Sequence, residues 1–307
     1  MAILTVNCEN EPFETAETKT VNCALIGVGY WGSKLKTYLE NDKRFSLVYT
    51  CDSKFDLNKI WNDENLDAVV VATPIDTHYE LVKSALLVGK HVLSEKPLAL
   101  KAGQCLDLKN IAEKNGLILQ TEYIYTFSEA LKKAKQIVQD GELGKALAIE
   151  LSVKHLGRFG SFDVYWLLAS HMLSVLDMFC PLSELTFSFV DLVENETGMI
   201  VFDGPVKGTI CVSLNYPWKE AEVLVYCENG TLRYTPGAQP TLSVTSYSKP
   251  SWTVSAKISK EEQTYPFDEG HNIRLALSSF HDCIVGKENP NTDLAVEITK
   301  IIEERTK

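Results

Sequence analysis

Short apolar runs alternate with helical patterns through the first third of the chain, and this alternation is what most constrains its fold. The runs are apolar throughout rather than at every second residue, which is typical of parallel strands covered on both faces. Right-handed crossovers between such strands give a doubly wound sheet. The predicted strands are VNCALIGVG (21–29), FSLVYTCD (45–52), DAVVVATP (67–74), KHVLSEKP (90–97) and GLILQTEY (116–123). A helix is predicted over 76–89, capped by Asp76 or Thr77 and ended by Gly89.

The pattern changes after the helical stretch EALKKAKQIVQDGELGK (129–145). Strand patterns then follow one another, with a hairpin signal at Asn229-Gly230, and this order predicts a mostly antiparallel open sheet in an α+β domain. One helix, over about 163–180, interrupts these strands. Two more, over about 271–286 and 293–305, end the chain and could pack back on the first domain.

Length, charge and cysteines narrow the class of protein. A chain of 307 residues exceeds one ordinary hydrophobic core, so two domains are expected. The net charge of −11 argues against a nucleic-acid partner. Eight cysteines without a CxxC pair indicate reduced thiols and no metal site. Since neither a signal peptide nor a membrane-spanning run is visible, we expect a cytoplasmic protein that does not insert into a membrane.

Three glycines follow the first predicted strand in ALIGVGYWGSKL (24–35). Gly27 permits a tight turn, Gly29 lets the backbone approach a pyrophosphate, and Gly32 lets the helix pack on the strand. The helix that begins here offers N–H groups and the positive end of its dipole to an anion. The loop therefore predicts dinucleotide binding, with Tyr30 and Trp31 beside the cofactor.

An aspartate at the end of the second strand bears on which dinucleotide binds. Asp52 lies 25 residues after Gly27, where a carboxylate can accept hydrogen bonds from the ribose hydroxyls. It would repel a 2′-phosphate, so NAD is favoured. Lys54 could bind such a phosphate, and NADP is therefore not excluded. The alternative is an aspartate that only caps a turn.

GVGYWG (27–32) together with EKPLAL (95–100) resembles the glucose-fructose oxidoreductase, inositol dehydrogenase and rhizopine catabolism (Gfo/Idh/MocA) family of NAD(P)-dependent oxidoreductases. GRFGSFDVYWLLASHMLSVLDMF (157–179) is most similar to its nucleotide-sugar 3-dehydrogenase branch. The resemblance implies an N-terminal extension (1–20), a Rossmann dinucleotide-binding domain (21–123) and a C-terminal domain for substrate binding and oligomerisation (124–307).

The resemblance identifies two catalytic residues. Lys96 matches the family lysine beside the nicotinamide, where a cation stabilises the alkoxide character that develops as hydride leaves the adjacent carbon. His171 matches the family histidine that takes the hydroxyl proton in oxidation and returns it in reduction. The alternatives are a surface lysine before a turn proline and a satisfied histidine in a half-buried helix.

The chain departs from the family pattern at three places. Leu167 stands where the family has an aspartate one helical turn before the histidine, and Asp163 could substitute for it. Glu122 stands where the family has a histidine. Only 14 residues separate Asp52 from Asp67, so the segment that walls the adenosine is short.

The remaining site residues also follow from the resemblance. Cofactor contacts are expected from Thr73, Pro74 and His78, and from Glu95 and a cis Pro97 on either side of Lys96. A plain helix N-terminal role for His78 is the alternative. Substrate contacts are assigned to Glu122, Arg158 and Tyr165, with an ordinary loop role as the alternative for the last two.

The expected function is hydride transfer between nicotinamide and a secondary hydroxyl or ketone of a sugar, with a nucleotide sugar as the expected substrate. A non-catalytic NAD(P)-binding sugar or redox sensor is one alternative, and an NAD-assisted glycosidase is the other. The resemblance also implies a homodimer or homotetramer.

Overall fold

A computed structural model describes residues 19–157, 159–160, 162–237, 240–247, 260–267 and 272–305. Two sheets dominate these residues. The first is parallel and belongs to the N-terminal part of the chain, and the second is larger and mostly antiparallel. The predicted fold class is confirmed.

The first sheet has five strands in the order β2-β1-β3-β4-β5. Adjacent strands are parallel throughout, as the continuous apolar runs predict. The strands are β1 (Val21–Ile26), β2 (Phe45–Cys51), β3 (Ala68–Val71), β4 (His91–Glu95) and β5 (Leu119–Glu122).

Both faces of this sheet are covered by helices. Successive side chains of a strand point to opposite faces, and β1 divides accordingly. Cys23 and Leu25 belong to one buried cluster, which includes Leu277 near the C-terminus, whereas Ala24 and Ile26 belong to the other. All four are buried, which explains the absence of polar alternation in the sequence.

Eight α-helices and several tighter or wider turns complete the described chain. The α-helices are α1 (Tyr30–Asn41), α2 (Asn58–Trp61), α3 (His78–Leu87), α4 (Ala102–Lys114), α5 (Glu129–Gln139), α6 (Ser170–Asp177), α7 (Asn272–Ile284) and α8 (Thr292–Glu304). The 3-10 helices span Ile75–Thr77, Ile124–Phe127 and Leu182–Glu184, and a π-helix spans Tyr165–Ala169.

The ends of α3 test the predicted caps. The cap at Asp76 or Thr77 is wrong: Thr77 occupies the N-cap position without a side-chain cap. Its hydroxyl donates instead to the Pro74 carbonyl at 2.7 Å, because a 3-10 turn precedes the helix. Gly89 ends the helix as predicted, with a φ of 79° that favours glycine.

The second sheet has eight strands in the order β13-β12-β11-β10-β6-β9-β8-β7. Only β6 and β9 pair in parallel among its neighbours. The strands are β6 (Ala146–Leu156), β7 (Thr186–Val193), β8 (Thr197–Asp203), β9 (Lys207–Ser213), β10 (Asn215–Cys227), β11 (Gly230–Thr235), β12 (Thr241–Tyr247) and β13 (Lys260–Pro266).

The predicted hairpin joins β10 and β11, with its turn one residue earlier than expected. Cys227 pairs with Gly230, so Glu228 and Asn229 form the turn. A Cβ on Gly230 would lie 2.6 Å from the Thr245 carbonyl oxygen. Close packing against β12, rather than turn geometry, therefore requires this glycine.

The cysteines of the described residues are all free thiols, and six of the seven are buried. Burial raises the pKa of Cys105, Cys227 and Cys283 to about 11, so these thiols are protonated near neutrality. Cys8 lies outside the described residues. None of the helices described is long and apolar enough to cross a membrane.

The two C-terminal helices pack on the first domain. Asn291, before α8, exchanges hydrogen bonds with the backbone of Thr121 at 2.7 and 2.8 Å. The Glu303 carboxylate accepts from the Ala102 N–H at 2.8 Å. Gln120 of β5 donates to the Ala276 carbonyl of α7 at 3.4 Å. These contacts tie the end of the chain to the edge of the parallel sheet.

Arg305 closes α8 onto the second domain. Its guanidinium forms a close ion pair with Asp163 and contacts both oxygens of Asp191 at 3.0 and 3.1 Å. It also lies 4.4 Å from the centre of the Tyr165 ring. The side chain is 13% exposed, so the pair is screened less than a surface pair.

We expect Arg305→Ala to lower the free energy of unfolding by about 2 kcal/mol, below the cost for a fully buried pair. Arg305→Lys should cost less because it keeps the charge but loses the planar fork. Urea denaturation measures both. Lys300→Ala, an exposed position of the same helix, is the matched control and should change stability by less than about 0.5 kcal/mol. An equal effect of the alanine variants at 305 and 300 would contradict the account.

Candidate functional site

The glycine loop lies at the carboxyl end of β1. Gly27 has a φ of 98°, and its N–H donates to the Cys51 carbonyl at the end of β2 at 2.9 Å. A Cβ at Gly27 would collide with the Ala72 carbonyl oxygen, whereas one at Gly29 would meet nothing within 4 Å. The loop thus has one residue that must be glycine and an open backbone where a pyrophosphate can approach. These features fit a dinucleotide.

Helix α1 begins in this open loop. A Cβ on Gly32 would collide with the Gly27 carbonyl, so this glycine lets the helix meet the loop. The Ser33 hydroxyl donates to the Gly29 carbonyl at 2.8 Å. Lys34 lies 4.5 Å from the Tyr30 ring centre and 4.6 Å from that of Trp31. Both predicted aromatic contacts therefore stand at the start of the helix.

Asp52 follows β2 directly and is exposed beside the glycine loop. One carboxylate oxygen accepts the Lys54 N–H at 2.9 Å. The aspartate thus caps its own turn and also presents a carboxylate where the ribose is expected. The segment from Asp52 to Asp67 contains one short helix, α2.

His78 links the loops after β3 and β4. Its Nδ1 lies 2.8 Å from the Pro97 carbonyl oxygen, and its Nε2 lies 2.9 Å from that of Thr73. The ring is 1% exposed. Its contacts give His78 a positioning role, holding Thr73 and Pro74 against the turn at Pro97, which is cis as predicted.

Lys96 leaves the end of β4 and reaches the second domain. Its ammonium donates to the Leu167 carbonyl oxygen at 2.6 Å. Leu167 belongs to the π-helix Tyr165–Ala169, which runs directly into α6, the helix of His171. The structure therefore brings the two predicted catalytic residues to one helix, although 75 positions separate them in the chain.

His171 is half-buried in the first turn of α6. The Ser174 hydroxyl donates to its carbonyl at 2.7 Å. The Tyr125 ring meets the imidazole edge-on, with ring centres 5.4 Å apart. Tyr125 lies in the 3-10 helix that follows β5, so the imidazole packs against the segment that leads out of the parallel sheet.

Leu167 does not replace the missing aspartate through its side chain, which is 6% exposed among apolar neighbours. The suggested substitute, Asp163, caps the π-helix by accepting the Tyr165 N–H at 2.7 Å and pairs with Arg305. It holds the start of the helix. The backbone carbonyl of Leu167, which sequence patterns could not identify, supplies the polar contact to Lys96.

The structure describes two of the three predicted substrate-contact residues, and both are buried. Tyr165 is completely buried and its hydroxyl donates to the Val190 carbonyl at 3.0 Å, so it is a core residue rather than a sugar contact. Glu122 is 3% exposed with both carboxyl oxygens inaccessible, which corrects its assignment as a direct substrate contact. Arg158 lies outside the described residues.

Two acidic side chains stand together at the ends of β4 and β5. Glu95 and Glu122 are paired residues of the parallel ladder. Burial and the neighbouring Glu95 raise the pKa of Glu122 well above its usual range. Burial also raises the pKa of Glu95, and Glu122, Lys96 and His78 oppose that shift. This cluster lies directly below the turn that carries Lys96.

A family model described as the oxidoreductase family with an NAD-binding Rossmann fold matches residues 44–123. This match covers β2 to β5, the strands whose carboxyl ends carry Asp52, Thr73 and Lys96. Residues 44–123 thus match the NAD-binding domain of the Gfo/Idh/MocA oxidoreductases. The resemblance predicted from its motifs is confirmed, and the cofactor of this family is NAD or NADP.

Curated relatives agree with the Gfo/Idh/MocA assignment. The 2,7-anhydro-N-acetylneuraminate hydratase of Mediterraneibacter gnavus is 31% identical over 42% of this chain and 38% of its own length. Inositol 2-dehydrogenase/D-chiro-inositol 3-dehydrogenase of Lactiplantibacillus plantarum is 28% identical over 44% of each chain. The matched part of the chain thus spans less than half the length of these relatives.

Solved structures share the fold over nearly the whole of this chain. KijD10, a 3-ketoreductase from Actinomadura kijaniata solved with NADP and TDP-benzene, has a TM-score of 0.80. It is 16% identical, and the alignment covers 94% of this chain and 97% of KijD10. At this identity the likeness shows the fold alone, and it includes the second domain that the family model does not reach.

Replacing Gly32 should damage both the glycine loop and cofactor binding. Because a Cβ there meets backbone, we expect Gly32→Ala to lower the free energy of unfolding by about 1–3 kcal/mol. Its NADH affinity should fall at least about tenfold. Calorimetric titration and urea denaturation measure the two effects.

Gly103→Ala in α4 is the matched control, since a Cβ at this helical glycine would meet nothing within 4 Å. It should leave NADH affinity unchanged and raise stability by about 0.5 kcal/mol. Unchanged NADH binding by Gly32→Ala would show that the loop does not hold the cofactor.

Proposed function

We propose that this protein is an NAD(P)-dependent oxidoreductase that transfers hydride between nicotinamide and a secondary hydroxyl or ketone of a nucleotide sugar. The observation that carries the proposal is the contact between the Lys96 ammonium and the Leu167 carbonyl. It places a cation from the end of the parallel sheet beside the helix of His171. A hydride-transfer site needs such a cation and a proton carrier together.

The cofactor binds along the carboxyl ends of the first sheet, where nucleotides bind in doubly wound folds. When bound, it accepts or supplies the hydride. Gly27 and Gly29 hold the pyrophosphate against the start of α1, and Asp52 accepts from the ribose hydroxyls. Because the Asp52 carboxylate would repel a 2′-phosphate, the preferred cofactor is NAD, with NADP as the alternative.

The chain's own residues handle charge and protons. The Lys96 ammonium lies near the substrate oxygen and stabilises its alkoxide character. His171 takes the hydroxyl proton during oxidation and returns it during reduction. The Leu167 carbonyl fixes the ammonium by a hydrogen bond, and Tyr125 packs against the imidazole. Lys96 therefore depends on a contact between the two domains, and His171 on the segment that follows β5.

A nucleotide sugar is the proposed substrate class. KijD10, which shares the fold, is a 3-ketoreductase solved with a TDP ligand and NADP. The substrate would lie between the nicotinamide and the second sheet, as small molecules do at domain junctions. The homodimer or homotetramer expected from the sequence stays a prediction.

Two substitutions test the proposed chemistry. We expect Lys96→Met to lower kcat about 10²–10³-fold, as loss of one oxyanion donor does. His171→Ala should lower it about 10²–10⁴-fold through loss of proton transfer. Both should bind NADH nearly as wild type. Absorbance of NADH during turnover of UDP- or TDP-linked 3-keto sugars measures kcat, and calorimetry measures binding.

Lys101→Met is the matched control, since Lys101 is exposed just before α4. It should keep wild-type kcat. If turnover survives both Lys96→Met and His171→Ala, the proposed site is wrong.

A second candidate function is an NAD(P)-binding sensor without turnover. It is favoured by Leu167, which leaves His171 without the carboxylate that the family places one turn earlier. NADH binding with no turnover of any sugar would support the sensor. An NAD-assisted glycosidase, the third candidate, would release free sugar without net accumulation of NADH.

A further inference from the structure

Two carboxyl groups lie side by side at the strand ends below Lys96, in a setting too buried for both to carry a charge. Glu95 and Glu122 are the last residues of neighbouring parallel strands and are directly paired. Paired residues of such strands point to the same face, so their side chains lie side by side. Both oxygens of Glu122 are inaccessible to water.

Of the two carboxyl groups, only Glu95 has a positively charged neighbour among the described residues. The backbone N–H of Lys96 donates to a Glu95 carboxylate oxygen at 3.2 Å. Electrostatic interactions with Lys96 and His78 also oppose the rise in the pKa of Glu95. The two ring nitrogens of His78 lie 2.8 and 2.9 Å from the carbonyl oxygens of Pro97 and Thr73, which fixes the ring beside this strand end. Glu95 therefore has compensating charge in an otherwise buried setting.

No cation compensates Glu122 among the described residues. The charge that acts on it is the Glu95 carboxylate. Helix α8 packs against β5 through the uncharged Asn291 and Thr292. Tyr123, the residue after Glu122, is also completely buried. An ionised Glu122 would be a buried anion beside a second anion, an arrangement that favours retention of one proton.

We propose that Glu122 holds a proton at neutral pH and donates it in a hydrogen bond to the Glu95 carboxylate, so that the pair carries one negative charge and positions Lys96. The proton comes from solvent during folding. Burial and Glu95 both raise the pKa of Glu122, which agrees with this assignment.

The shared proton would link the ends of β4 and β5, the two strands that lead to Lys96 and to Tyr125. β4 continues into Lys96, and β5 continues into the 3-10 helix whose Tyr125 contacts His171. A second negative charge would drive these ends apart and alter the field at the Lys96 ammonium. Glu122 is therefore a positioning residue. This role rests on the proposed function, whereas the proton on Glu122 does not.

The test is the pH dependence of the free energy of unfolding for wild type and Glu122→Gln, which mimics the protonated acid. A raised pKa means that the native state binds more protons than the unfolded state. Wild-type stability should therefore fall as pH rises above the unfolded pKa of glutamate, by a slope of at most about one proton. The variant should lose this slope, so its stability relative to wild type grows with pH.

Glu80→Gln, at an exposed position of α3, is the matched control and should keep the wild-type slope. Infrared difference spectra give a second readout that does not depend on the variant's stability. At neutral pH the wild type should show the carbonyl stretch of a protonated carboxylic acid, and Glu122→Gln should lack it.

Absence of that band from the wild type, together with equal pH slopes in wild type and Glu122→Gln, would overturn the proposal. Neither readout requires cofactor or turnover. A failure here is therefore distinguishable from failure of the oxidoreductase assignment, which the Lys96 and His171 variants test.

Discussion

The hydrogen bond from Lys96 to the Leu167 carbonyl is the contact on which the candidate site depends. It joins the end of a parallel strand to a helix of the other domain at 2.6 Å. The acceptor lies in a π-helix, an irregularity that is frequent at functional sites. A carbonyl has two lone pairs and can accept a side-chain donor beside its helical partner. The backbone thus supplies the polar partner for Lys96, and the side chain of Leu167 remains in the core.

Several charged or ionisable side chains lie near this contact. Lys96 follows Glu95 at the end of β4, His78 interacts electrostatically with Glu95, and the buried Glu122 lies beside Glu95 at the end of β5. Arg305 holds the far side by pairing with Asp163 at the start of the π-helix. Of these acids, Glu95 interacts with Lys96 and Asp163 pairs with Arg305, whereas the charge acting on Glu122 is that of Glu95. The site is thereby fixed from both domains and by the last turn of α8.

The parallel sheet and the glycine loop could be predicted because their signals are local. Continuous apolar runs indicate that both faces of the sheet are covered, and Gly27 follows the first run directly, at a tight turn where a Cβ would collide with the Ala72 carbonyl oxygen. No apolar strand pattern marks β13, because its sequence, KEEQTYP, is polar, as suits a strand at a sheet edge. The predicted helix cap failed because a 3-10 turn takes the hydroxyl of Thr77.

Other features of the site could not be read from sequence because they join distant residues. Asp163 and Arg305 lie 142 positions apart, and no periodicity marks their pairing. Tyr165 and Glu122 are buried by strands that come later in the chain or lie beside them in the sheet. Resemblance pointed to Lys96 and His171, but it could not show that the Lys96 ammonium donates to a backbone carbonyl in the π-helix that leads into the helix of His171.

Isotope transfer tests directly whether hydride passes between nicotinamide and a sugar at the Lys96 site. Wild-type protein would be incubated with NADH that carries deuterium at the transferring C4 position and with a UDP- or TDP-linked 3-keto sugar. We predict a product with one deuterium on the new carbinol carbon, detected by mass spectrometry, and formation of that product at least about 10²-fold more slowly with Lys96→Met. A reduced sugar without deuterium, or labelled product formed equally well by Lys96→Met, would contradict hydride transfer at this site.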